Sequence, residues 1–154
     1  MVLTLRNSII ESDLKFITEA DLPWELFKGK TVLISGASGF LPAYMVETLL
    51  YLNETRGFDV KVLALVRNIE NAHLRLSHYA KNKNLRFIHQ DVCEQLNIDD
   101  KIDYIVHAAS QATPKVFNAD PVGTIRPNTI GTGNLLDLAI KKKVECFLFF
   151  STTG

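Results

Sequence analysis

From Thr31 onward the chain alternates short apolar runs with segments of helical period, and no other feature constrains its fold as strongly. The runs "TVLIS" (31–35), "DVKVLALV" (59–66), "LRFIHQ" (85–90), "KIDYIVHAA" (101–109) and "VECFLFF" (144–150) read as strands. Segments 40–55, 69–80 and roughly 120–142 between them carry apolar residues at helical spacing. Strands that are apolar throughout are covered on both faces, and alternation with helices demands right-handed crossovers. The predicted fold is therefore α/β, a doubly wound parallel sheet in three α/β/α layers. Ahead of it, Ile9, Ile10, Leu14, Phe16 and Ile17 predict an amphipathic helix over 8–20 with Ser8 as its cap, followed by the connector "DLPWELFKGK". Residues 1–29 are thus expected as helix and connector, and 30–154 as the α/β domain.

Composition narrows the functional classes. With 154 residues, 47% hydrophobic and 22% charged, the chain has the make-up of one domain with a buried core. A formal net charge of zero, with Lys141, Lys142 and Lys143 as the only basic run, argues against a nucleic-acid partner. Cys93 and Cys146 form no Cys-x-x-Cys pair, and His73, His78 and His89 show no ligand spacing, so no metal is expected. The N-terminal segment is broken by charges, and no apolar stretch approaches the length of a membrane span. A cytoplasmic protein without a membrane partner is expected.

Directly after the first strand stands "GASGFLP". Gly36 suits a tight turn, Gly39 lets backbone approach a pyrophosphate at the start of the next helix, and Pro42 occupies the place of a third glycine. Proline is tolerated there because its missing amide has no partner in a first helical turn. The competing reading is a plain glycine-rich turn between strand and helix. At the end of the second strand, where a carboxylate would hold ribose hydroxyls, Val66 and Arg67 stand instead. Arg67 is open to three readings: meeting a 2′-phosphate, stacking on adenine, or lying in solvent. NADP therefore stays open beside NAD.

Several motifs then fall in one order: "GASGF", "QDV" with Asp91, "HAAS", "NTIGTGNLLDLA" and "FFSTTG". Together they resemble the extended short-chain dehydrogenase/reductase family, also described as NAD-dependent epimerases/dehydratases, over residues 30–154. The stretch "HAASQATPKVFNADPVGTIRPNTIGTGN" looks most like UDP-glucuronate decarboxylases and next like dTDP-glucose 4,6-dehydratases. The resemblance implies a Rossmann-like fold with Gly36, Ser38, Gly39 and Phe40 along the pyrophosphate. It also implies Asp91 and Val92 against adenine, and Ala108 and Ala109 along the ribose and nicotinamide. Asn128 would brace the fourth strand, Ser110 and Thr113 would face the sugar, and Thr153 would be the catalytic hydroxyl. Each has a plainer reading as a turn, cap or strand-end residue, and His107 reads as a satisfied structural histidine rather than a base.

Members of this family oxidise carbon 4 of a sugar nucleotide transiently, and their general base is a tyrosine of a Tyr-x-x-x-Lys pair that follows the Ser/Thr motif. Here Tyr44, Tyr51, Tyr79 and Tyr104 all precede Thr153. The resemblance accordingly implies the cofactor-binding part of a longer lyase, stopping after the fifth strand, without its C-terminal sugar-nucleotide domain and inactive alone. Its implied partners are a UDP- or dTDP-linked sugar and a second copy in a homodimer. Alternatives are a UDP-hexose 4-epimerase of the same family or a non-catalytic dinucleotide-binding sensor.

Overall fold

The β-branched runs pair as a single parallel sheet. In the computed structural model, which describes residues 6–110 and 118–151, the strands are β1 (Thr31–Ser35), β2 (Lys61–Val66), β3 (Leu85–His89), β4 (Tyr104–His107) and β5 (Cys146–Phe149). Their order is β3-β2-β1-β4-β5. β1 is central, with Ile34 facing Ala64 of β2 on one side and Val106 of β4 on the other. Winding runs outward from β1 to β3, then crosses back to β4. The direction thus reverses between β1 and β4, and a crevice opens at the carboxyl ends of those strands.

The pleat sends successive side chains to opposite faces, and each face has its own cover. Val32, Ile34, Val62, Ala64 and Val66 pack under α2 (Phe40–Arg56) and α3 (Ile69–Arg75), against Val46, Leu50 and Ala72. Leu33, Leu63, Leu65 and Ile105 pack under α5 (Thr132–Lys142), against Leu135 and Leu138, with Leu96, Ile98 and Ile102 from the β3–β4 connection. Full burial of each such aliphatic contributes about 1.5–3 kcal/mol. These two apolar layers hold the sheet rigid under the crevice.

Three elements differ from the sequence expectation. The fourth strand begins only at Tyr104, and just before it Asp103 is tied to β1 twice, its amide donating to the Thr31 carbonyl at 2.9 Å and its carboxylate accepting the Thr31 amide at 2.8 Å. Burial alone would raise the Asp103 carboxyl, but Lys101 and the Thr31 amide together hold it below the usual range. The helix expected over 69–80 stops at Arg75 and tightens into a 3-10 turn at Ser77–Tyr79. The helix expected over 120–142 is α4 (Pro121–Arg126), a π-helical turn (Pro127–Gly131) and α5. Pro127 has no amide to donate and so breaks the helical ladder, and the Asn128 side chain donates to the Thr124 carbonyl at 2.9 Å.

The N-terminal helix α1 (Ser8–Glu19) is capped by Asn7, whose side chain accepts the Ile9 amide at 2.9 Å, rather than by Ser8. It docks on α2 through Leu14, which is fully buried, and through a 2.8 Å hydrogen bond from Tyr44 to Asp13. Arg6 pairs with Glu54 and donates to the Tyr79 hydroxyl. On the α2 side of the sheet a groove of about 690 Å³ runs over β4 and β5, lined by Tyr104, Val106, Cys146, Leu148 and Phe150 and rimmed by Trp24 and Phe27. Leu14→Ala is expected to cost about 2–5 kcal/mol of stability in urea unfolding. A loss below about 1 kcal/mol would show that α1 is not part of the cooperative unit.

Candidate functional site

The crevice is built by the turns that follow β1, β2, β3 and β4. Gly36 leaves β1 with φ +67°, a left-handed conformation that favours glycine. A Cβ on Gly36 would lie 2.8 Å from the Ala108 carbonyl oxygen and 2.8 Å from the Ala109 Cα. The two turns therefore touch backbone to backbone. Gly39 is the N-cap of α2, and its amide closes the turn on the Gly36 carbonyl at 2.8 Å. The amides of Phe40 and Leu41 in the first helical turn have no intrahelical acceptor, which leaves donors at the positive end of a 17-residue helix. Pro42 is the third helical residue and is buried, as the missing amide allows.

The other walls come from β2, β3 and β4. A cleft of about 260 Å³ is lined by Ser35, Gly36, Ser38 and Gly39; by Leu65, Arg67 and Asn68; by Gln90, Asp91 and Val92; and by Ala108, Ala109, Ser110 and Pro127. Asp91 closes the turn after β3, its Oδ1 accepting the Cys93 amide at 2.8 Å. Asn134 of α5 pins the same turn by donating to the Val92 and Glu94 carbonyls, both at 3.0 Å. A Cβ on Gly131 would lie 2.7 Å from Val92 Cγ1, so that glycine lets the π turn approach this wall.

The end of β4 is held by side chains. Ser35 and His107, opposite each other in the parallel register, are both buried, and Ser35 Oγ lies 2.7 Å from His107 Nδ1. Ser35 Oγ also accepts the Ala108 amide at 3.1 Å and the Ala109 amide at 3.2 Å. His107 Nε2 lies 3.0 Å from the Pro127 carbonyl. Burial pushes the His107 imidazole below its ordinary value, against the raising effect of that carbonyl.

Of the residues singled out from sequence, Gly36, Ser38, Gly39, Arg67, Asp91, Val92, Ala108, Ala109 and Ser110 line this one cleft. Phe40 does not. Its exposed ring packs on Tyr44 at 5.6 Å and under the Arg75 guanidinium at 5.6 Å. Asn128 donates to Thr124 and, at 3.3 Å, to Ser110, while the tie from this helix to β4 is made by His107 and Pro127. Thr113 and Thr153 lie outside the described residues. One Tyr-x-x-x-Lys spacing occurs, from Tyr79 to Lys83, and the structure places its tyrosine away from the cleft. Tyr79 is buried beneath α2, bonded to Arg6, and burial pushes its hydroxyl well above the ordinary range, so it is no general base for this site. Ser35, Gln90 and Asn134 were not singled out. The available signal was that "TVLIS" and "YIVH" both end apolar strands on a polar residue, which parallel pairing sets side by side.

The model of the NAD dependent epimerase/dehydratase family matches residues 32–154. The chain belongs to that family. It is 32% identical over 141 residues to UDP-glucuronic acid decarboxylase 1 of Danio rerio, covering 91% of this chain and 29% of that protein. It superposes on the UDP-glucose 4-epimerase of Thermus thermophilus in complex with NAD with a TM-score of 0.57 and 28% identity, over 79% of this chain and 37% of the other. The dTDP-glucose 4,6-dehydratase DesIV of Streptomyces venezuelae gives a TM-score of 0.62 at 24% identity, over 76% and 38%, a likeness of fold. This member of the epimerase/dehydratase family thus spans 29% of the length of its first curated relative. Among the described residues no helix is long and apolar enough to cross a membrane, and no cluster of His, Cys, Asp and Glu is placed to hold a metal ion.

Gly36→Ala is expected to cost roughly 2 kcal/mol or more, from the left-handed backbone and from overpacking against Ala108 and Ala109. Urea unfolding measures it. A loss under about 0.5 kcal/mol would mean that the two turns are free to move apart.

Proposed function

We propose that this chain is the cofactor-binding part, residues 30–154, of a nucleotide-sugar-modifying lyase of the UDP-glucuronate decarboxylase or dTDP-glucose 4,6-dehydratase type, and that its cofactor is NAD. The observation that carries the reading is the convergence of the Gly36, Asp91 and Ala108 turns on one cleft at the carboxyl ends of the strands, where the winding reverses. The residues present fit a dinucleotide. The Gly36 turn packs backbone to backbone on the Ala108–Ala109 turn, and the amides of Phe40 and Leu41, which have no intrahelical acceptor, follow it at the start of α2.

In this reading Gly36, Ser38 and Gly39 hold the pyrophosphate. Asp91 and Val92 bound the adenine, with the Asp91 carboxylate fixed by the Cys93 amide so that it can accept from an exocyclic amine. Ala108 and Ala109 form the wall toward the reacting end. When bound, NAD supplies a hydride acceptor for carbon 4 of the sugar. Ser110 and Thr113 are proposed to face the sugar nucleotide, with Thr153 as the hydroxyl that orients the reacting oxygen, and Asn128, 3.3 Å from Ser110, braces the wall after β4 on the cofactor side. A homodimer is supported by the exposed apolar side chains Val122, Ile125, Ile130, Leu136 and Ile140 along α4, the π turn and α5. A second reading, a UDP-hexose 4-epimerase, draws on the likeness to the Thermus thermophilus structure.

Calorimetric titration with NAD tests the cofactor. Binding is expected, with Asp91→Ala weakening it about tenfold, while the same chain releases no carbon dioxide from UDP-glucuronate. Failure to bind NAD at millimolar concentration would overturn the reading. Arg67 makes a separate prediction. With a cation instead of a carboxylate at the end of β2, NADP is expected to bind within about tenfold of NAD. Arg67→Asp should then weaken NADP selectively, and an unchanged NAD/NADP ratio would place the guanidinium outside the site.

A further inference from the structure

The turn that forms the inner wall of the cleft hangs on one hydroxyl. Ala108 and Ala109 lie beyond the last residue of β4, and the amides of both donate to Ser35 Oγ, at 3.1 and 3.2 Å. A hydroxyl has two lone pairs and one hydrogen. With both lone pairs occupied, the hydrogen must go to a third partner, and His107 Nδ1 stands 2.7 Å away. That assignment is consistent with the far side of the ring. Nε2 faces a carbonyl, that of Pro127 at 3.0 Å, and so carries the proton, which leaves Nδ1 bare. Every hydrogen-bonding position of this buried relay is filled, and it is filled only when the imidazole is neutral.

Protonation breaks this count. An imidazolium donates from both nitrogens, so Nδ1–H would point at an oxygen that already accepts two amides. The Ser35 hydrogen would lose its acceptor, and one of the two amides would lose its partner. Among the described residues, the elements packed against the ring bring no compensating charge: β1 presents Ser35, β5 the Phe149 ring at 5.4 Å, and the helical segment the Pro127 carbonyl. The ionisable or charged side chains carried by those elements are Tyr104 and Cys146 at the far ends of β4 and β5, and the exposed Arg126 beside Pro127. A positive arginine does nothing to favour a second positive charge.

We propose that His107 is a positioning residue for the cleft: as a neutral imidazole anchored on Pro127 it orients Ser35 to hold the Ala108–Ala109 wall, and its protonation loosens that wall and weakens dinucleotide binding. The inference rests on the NAD-binding reading above and adds to it a pH dependence set by a residue that does not line the cleft. Because burial depresses the folded imidazole, the neutral form persists below the ordinary histidine value of about 6.5. The unfolded chain takes up its proton first, so stability is whole above that value and declines as pH falls below it. Affinity declines at a lower pH, as the folded imidazole itself titrates.

The test is a calorimetric NAD titration of the whole chain from about pH 8 to about pH 5. Backbone amide shifts of Ala108 and Ala109 and the His107 ring resonances are followed by NMR in the ligand-free protein over the same range. The expected result is an affinity that drops about tenfold on acidification, with both amides shifting at the midpoint of the ring. His107→Gln, whose side-chain amide can accept from Ser35 and donate to Pro127, is expected to keep more affinity than His107→Ala and to lose the pH slope. Ser35→Thr, which retains the hydroxyl, is expected to keep the slope that Ser35→Ala loses. Affinity independent of pH in the unsubstituted chain, or an equal slope in His107→Gln, overturns the inference while leaving NAD binding in place. Absence of NAD binding at about pH 8 overturns the cofactor reading and the binding half of the inference together. The amide shifts need neither variant nor ligand, and if they do not follow the ring the relay itself is refuted.

Discussion

The backbones of the Gly36 turn and the Ala108–Ala109 turn lie so close that no side chain fits between them, and most of the site's geometry follows from that approach. It brings the end of β1 against the end of β4, the two strands between which the winding reverses. It requires a left-handed residue at position 36, which then aims the chain into the N-terminus of α2. The amides of Ala108 and Ala109 turn to Ser35, and Ser35 in turn to His107.

The same chain of dependence reaches the opposite layer. His107 is anchored on the carbonyl of Pro127, which also receives the Thr132 amide through the π turn. The irregularity between α4 and α5 thus presents a carbonyl where a buried histidine needs one. Four residues on, Gly131 lets the helix approach Val92, and Asn134 ties down the turn that carries Asp91. One helical segment therefore sets the position of two walls of the cleft.

The strand-helix alternation was readable from residue types because burial on both faces leaves continuous apolar runs such as "TVLIS" and "KVLALV". The turn residues Gly36 and Gly39 were readable from the tight turn between strand and helix, and Asp91 from the family resemblance of the "QDV" stretch. Phe40 shows the limit of that logic. Sequence neighbours of a glycine turn need not point into the cleft it lines, and the first residue of α2 turns its ring outward onto Tyr44. The Tyr79–Lys83 spacing shows the same limit, since a four-residue interval carries meaning only where the fold exposes it to a ligand.

By itself the sequence determined the class of fold, the order of its elements and the place of the glycine turn, because hydrophobic period and backbone permissiveness act over a few residues. Only the tertiary structure decided that Ser35 and His107, 72 positions apart, would stand side by side within hydrogen-bond distance. Strand register decides which polar ends meet, and register follows from the packing of two whole layers rather than from any local pattern.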